Sequence, residues 1–98
     1  MEIRKEENEG VITVFPKGAI DTTTAPEAEA FFNAEISDDA RVILDMKRVN
    51  YLSSAGLRVV LNLMKKVGYD HMVLRNMTPE VTEIFRMTGF DRIINIQQ

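Results

Sequence analysis

Two runs in this chain, Val42-Ile43-Leu44 and Met72-Val73-Leu74, are apolar at every position, and the stretch between them carries a helical repeat. A short segment that is apolar without alternation reads as a strand of a parallel sheet, covered on both faces. Parallel neighbours cannot be joined by a tight turn and need a crossover, usually a helix. Leu57, Val60, Leu61 and Met64, spaced i, i+3, i+4, i+7, supply one. This unit restricts the chain to α/β architectures with right-handed crossovers.

The alternation extends in both directions. Ile3 to Lys5 and Val11 to Phe15 read as short strands joined by a turn at Asn8-Glu9-Gly10. Pro16 limits the second strand, because proline donates no ladder hydrogen bond. After Gly18-Ala19-Ile20-Asp21, the segment Thr24-Ala25-Pro26-Glu27 has the form of a capping box with an early proline. It predicts a helix carrying Ala28, Phe31 and Phe32 inward and ending near Ile36 to Asp39. Thr78-Pro79 opens a further helix with Val81, Ile84 and Phe85 at its core positions, and Gly89 stops it. Phe90 to Ile96 supplies a last short strand. The expected order is ββαβαβαβ: one α/β domain over residues 1–98, with packed helices on a mixed, mostly parallel sheet that is antiparallel at its first hairpin.

Composition narrows the function. A chain of 98 residues with 45% apolar and 28% charged residues has the makeup of one globular domain. Its net charge of −3 provides no basic footprint for nucleic acid and no polybasic anchor for a membrane surface. No apolar run approaches the ~20 residues that span a bilayer. The opening segment MEIRKEENEG lacks a signal-peptide core, so a cytoplasmic protein is expected. Zero cysteines exclude disulfides, thiol catalysis and Cys-based metal sites, and a single histidine, His71, excludes multi-His sites.

The residues that ask for an explanation are Ser53 and Ser54, in Tyr51-Leu52-Ser53-Ser54-Ala55-Gly56-Leu57. A serine at a helix start accepts a hydrogen bond from an unpaired backbone N–H, worth about 1 kcal/mol. One serine suffices for that. The same place suits a phosphate, since free N–H groups and the positive end of the helix dipole face it. A phosphoserine there brings about −1.5 to −2 charges onto the surface while sparing the fold. Val59, Leu63 and Val67 widen the apolar arc of this helix beyond what one sheet face needs. The excess is either covered by another helix or exposed beside the serines as a docking surface. Asp21 and Asp45 each follow a strand, on the side of a parallel sheet where sites gather. Asp21 is the candidate for lying near the serines and bonding a hydroxyl, or else it bonds its own loop. Asp45 reads as a strand-end residue holding nearby N–H groups. Arg58, near the helix start, contacts either solvent, a partner carboxylate or a phosphate on Ser54.

Taken together, Gly18 to Asp21, Thr24 to Glu27, Val42 to Asp45, Tyr51 to Leu57, and the tail from Thr78 to Phe90 resemble the STAS domain of bacterial anti-sigma-factor antagonists. The resemblance covers essentially the whole chain. It implies a mixed sheet with helices packed on it, and it implies partner switching. The unphosphorylated form binds an anti-sigma factor serine kinase of the histidine-kinase-like ATPase type. That kinase uses ATP and magnesium to phosphorylate the signature serine, which releases the antagonist, and a PP2C-type phosphatase resets it. Ser54 matches the acceptor, with Ser53 as the alternative. Ser53 stands where many members carry aspartate, and Ala55 replaces the following Ser or Thr. If Ser54 is the acceptor, Ser53 is free to cap the helix. The expected partner surface comprises Asp21, Ser53, Ser54, Gly56, Leu57 and Arg58. The chain itself is expected to need no cofactor and to catalyse nothing.

Other readings fit less well. A phospho-accepting receiver needs an acidic pair after its first strand and a late lysine, which Phe15-Pro16-Lys17 and Leu74-Arg75-Asn76 do not supply. Ser53-Ser54-Ala55-Gly56 is not the G-x-S-x-G elbow of a serine hydrolase. The remaining alternative is a STAS module that never cycles phosphate and serves as a scaffold or subunit of a sensory or transport complex.

Overall fold

The hairpin is longer than its apolar residues suggest. In the computed structural model, which describes residues 1–97, β1 (Glu2–Asn8) and β2 (Val11–Lys17) pair antiparallel from Glu2↔Lys17 to Asn8↔Val11. Glu9 and Gly10 turn between them with φ of 53° and 82°, the left-handed pair whose twist matches that of the strands. Pro16 stays within β2, because the neighbouring strand pairs only as far as Val14 and takes nothing from the proline nitrogen.

The chain then runs through β3 (Ala19–Ile20), α1 (Ala25–Glu35), β4 (Arg41–Asp45), β5 (Tyr51–Leu52) and α2 (Ser54–Val67). It continues through β6 (Met72–Arg75), α3 (Pro79–Thr88) and β7 (Ile96–Gln97). The main sheet has the order β1-β2-β4-β6-β7, with every pair after the hairpin parallel. The mixed, mostly parallel sheet and its three packed helices are those expected from sequence.

The strand order decides which faces are covered. From β2 to β7 the chain always steps to the same side, and right-handed crossovers then place α1, α2 and α3 on one face. Burial follows that geometry. Ile12 and Val14, Val42 and Leu44, and Met72 and Leu74 are buried, whereas Thr13, Ile43 and Val73 between them are only half-buried. The expectation that β4 and β6 are covered on both faces is therefore corrected: no crossover reverses direction to bring a helix to the second side. On that open face the Arg4 guanidinium lies 4.5 Å from the centre of the Phe15 ring.

Three local expectations change as well. The last strand is confined to Ile96–Gln97, since Phe90–Arg92 forms a 3-10 turn after Gly89 ends α3. The inward stripe of α2 is rotated: Gly56, Val60, Leu63 and Val67 are buried, with Leu57 and Val59 beside them, and Leu61 and Met64 are half-buried at the flank. In α1 the buried residues are Ala25, Ala28 and Phe32, with Phe31 half-buried against Phe32 edge-to-face. Among the described residues no helix is long and apolar enough to cross a membrane.

Candidate functional site

The serines are positioned by a second, two-stranded sheet with no distinct signature in the sequence. β3 pairs parallel with β5, Ala19 with Tyr51 and Ile20 with Leu52, and the Ser53 N–H donates to the Ile20 carbonyl at 3.0 Å. Ile20 and Leu52 are buried, so this small sheet is tied to the core. It sets Asp21 and Ser53 side by side, each one residue beyond a paired strand.

Ser53 takes the capping role. Its backbone is extended (φ −83°, ψ 178°), and its hydroxyl accepts from the Gly56 N–H at 3.3 Å. Its carbonyl accepts the first helical bond, from the Leu57 N–H at 2.9 Å. Ser54 is the first helical residue and is exposed. Gly56 packs α2 onto β3: a Cβ there would fall 2.2 Å from the Ile20 carbonyl oxygen. Sequence reading placed Gly56 in the motif without this cause, which depends on a contact across the fold.

Asp21 turns into its own loop. One carboxylate oxygen accepts from the Thr23 N–H at 2.9 Å and the Thr24 N–H at 3.1 Å. The Thr24 hydroxyl receives the Asp21 N–H at 2.9 Å and donates to the Ala19 carbonyl at 2.7 Å. The Thr24 amide holds the Asp21 carboxyl below its usual range, with Thr23 and the Thr24 hydroxyl adding to it against partial burial. Of the two roles expected for Asp21, the carboxylate thus takes the one within its own loop. The expected capping box is corrected here. Thr24 has a helical backbone (φ −95°, ψ −19°), its hydroxyl is used elsewhere, and Asp21 holds the free N–H groups before α1 instead.

Leu57 and Arg58 open onto a groove with room for about 430 Å³, lined from α2 by Ser54, Leu57, Arg58, Leu61, Asn62 and Lys65 and closed opposite by Thr88 and Phe90. Asn62, at the crest of α2, also donates to the Glu29 carboxylate of α1 at 3.1 Å, and on that flank Val59, Leu63 and Phe32 line the space between the helices. The wide apolar arc of α2 is thus covered by α1 on one side and left partly open on the other.

Asp45 lies away from the serines. It is 4% exposed and binds the Lys47 N–H at 3.0 Å, the Arg75 guanidinium at 3.1 Å and the Asn76 amide at 3.1 Å. Burial pushes its carboxyl up, but these donors together outweigh burial and hold it below the ordinary value. Asp45 fastens the end of β4 to that of β6. The strand-end role is as expected, and Arg75 and Asn76 are partners that only the sheet order brings within reach.

Comparison with known proteins agrees with this fold. The model of the STAS domain matches residues 2–98. The chain belongs to the STAS domain family. One relative of this STAS chain, a putative anti-sigma factor antagonist, BtrV, of Bordetella bronchiseptica, is 33% identical over 93 residues, covering 92% of this chain and 80% of that one. The anti-sigma-B factor antagonist of Listeria monocytogenes is 29% identical over 96 residues, 95% of this chain and 84% of its own. Among solved structures, a putative anti-sigma factor antagonist from Thermotoga maritima superimposes with a TM-score of 0.89 at 18% identity, covering 98% and 86% of the two chains. The phosphorylated form of the Bacillus cell fate determinant SpoIIAA gives a TM-score of 0.70 at 18% identity, with 99% and 92% covered. A sulfate transporter family protein from Wolinella succinogenes shares the STAS fold too, with a TM-score of 0.71 at 16% identity over 87% and 71% of the chains. Both of these relatives matched by sequence carry the name of an anti-sigma factor antagonist, one of them as putative.

Proposed function

We propose that this protein is a phosphorylation-controlled partner switch, an anti-sigma-factor antagonist with no catalytic activity of its own, acting in the cytoplasm. Unphosphorylated, it binds an anti-sigma factor serine kinase of the histidine-kinase-like ATPase type through Asp21, Ser53, Ser54, Gly56, Leu57 and Arg58. The kinase uses ATP and magnesium to phosphorylate Ser54, the complex separates, and a PP2C-type phosphatase restores the binding form. The observation that carries this reading is the division of labour between the serines: Ser53 caps the helix, and Ser54 is exposed beside the groove. A dianion on Ser54 would meet the positive end of α2, which tolerates it, and a partner surface packed against carbon, which does not.

The test is phosphorylation in lysate of the native host with ATP and magnesium, followed by mapping of the site by mass spectrometry. Wild type and Ser53→Ala are expected to be modified and Ser54→Ala is not. Ser54→Asp is expected to weaken kinase binding by at least tenfold while the melting temperature stays within a few degrees, roughly the range of a surface substitution. Equal loss of fold and binding in Ser54→Asp would mean that Ser54 is structural.

The alternative is a STAS module that does not cycle phosphate and forms a permanent interface in a sensory or transport complex, a setting suggested by the sulfate transporter family protein of the same fold. Absence of any modification, with the kinase active on a control substrate, selects that reading.

A further inference from the structure

Building on the reading that the start of α2 is the regulated surface, we propose that the groove between α2 and Thr88-Phe90 receives an acidic amphipathic helix of the partner, its apolar side chains on Leu57, Leu61 and Phe90 and its carboxylates on Arg58 and Lys65. The groove's shape argues for a helix. Its α2 wall consists of Ser54, Leu57, Arg58, Leu61, Asn62 and Lys65, which recur at the i, i+3, i+4, i+7 spacing of a helix face. These span three turns, a straight track along which a second helix lays its own stripe. Leu61 is a large apolar residue off the buried stripe, half-buried where the core of this chain makes little use of it.

Charge argues for acid. The whole chain carries a net charge of −3, yet among the described residues the only ionisable ones lining the groove are Arg58 and Lys65, both exposed. Lys66, their neighbour, is paired with Asp38 at 3.7 Å, whereas among the described residues neither Arg58 nor Lys65 enters an ion pair. A helix with carboxylates along one flank finds complementary charge here, and one with lysines is repelled. Ser54 closes one end of the track, so phosphate on it would stand against the partner's carboxylates and compete with them for Arg58. The partner's own charge thereby amplifies the switch.

The experiment selects binders for the unphosphorylated protein from a displayed library of short helices with leucines fixed on one face and flanking positions randomised. Selected helices are expected to be rich in Asp and Glu, and Lys65→Glu, at an exposed position, weakens them about threefold to fivefold. Selection against the double variant Arg58→Glu, Lys65→Glu is expected to return Lys- and Arg-rich helices instead. Leu61→Asp abolishes binding, with thermal melts confirming that each variant is folded. Selected helices without acidic bias, binding indifferent to Lys65→Glu, or no binders at all would overturn the proposal. This outcome separates from that of the switch. Acid-rich helices with no phosphorylation of Ser54 leave the groove standing and remove the switch, and phosphorylation without acid selection does the reverse.

Discussion

At Gly56 a single methyl group is one too many. A Cβ there would lie 2.2 Å from the Ile20 oxygen, and that oxygen also accepts the Ser53 N–H, so neither side is free to move. Gly56→Ala is expected to destabilise the protein by about 3 kcal/mol, read as a lower urea midpoint with unchanged slope. The buried carboxylate of Asp45 makes a different prediction. Its folded value lies below that of the unfolded chain, so its contribution is fully present above the unfolded value and is lost as pH falls through the folded one. Asp45→Asn should cost about 2 kcal/mol at neutral pH. The gap between variant and wild type, measured by urea unfolding, should narrow in strongly acidic buffer. A gap that stays constant with pH would mean that the carboxylate charge is irrelevant. Among the candidate residues, the serine pair was legible because a helix start needs one cap and the chain offers two hydroxyls. The reason for Gly56 was not, because its neighbour Ile20 is remote in sequence.

At the scale of elements, the order of strands and helices followed from apolar period and punctuation, and the misses have local causes. β3 and β5 are two residues each, too short for any alternation to register, and exist only because each completes the other's ladder. The rotation of α2 has a similar origin. Leucines on both flanks of the arc make the sequence ambiguous about the inward direction, and contact with α1 resolves it toward Leu63. Leu63→Ala is therefore expected to cost about 3 kcal/mol and Leu61→Ala about 1 kcal/mol, by denaturant unfolding. The reverse order would restore the stripe expected from the sequence, Leu57, Val60, Leu61 and Met64. The capping box before α1 matched its pattern in Thr24 and Glu27, but Asp21 takes the Thr24 N–H that Glu27 would have capped, the Thr24 hydroxyl bonds Asp21 and Ala19, and the Glu27 carboxylate pairs with the N-terminal amine of Met1.

For the molecule as a whole, the one-sided sheet is the result that no window of sequence contains. A three-residue apolar run looks the same whether helices lie on one face or two. The faces are assigned by the direction of successive crossovers, and here that direction never reverses. Adjacent residues of β4 should consequently differ: Leu44→Thr is expected to cost about 3 kcal/mol and Ile43→Thr under about 1 kcal/mol, with equal losses arguing for a covered second face. Outside that sheet, the pairing of β3 with β5 brings Asp21 beside Ser53, with Ser54 next in the chain. The sequence by itself determined the elements, the α/β class and the doubled serine at the start of α2, because hydrophobic period and capping act over a few residues. Only the tertiary structure decided which face of each strand is covered, which serine caps, that position 56 excludes a side chain, and that Leu61 borders an open groove. Each of those depends on atoms brought together from distant parts of the chain.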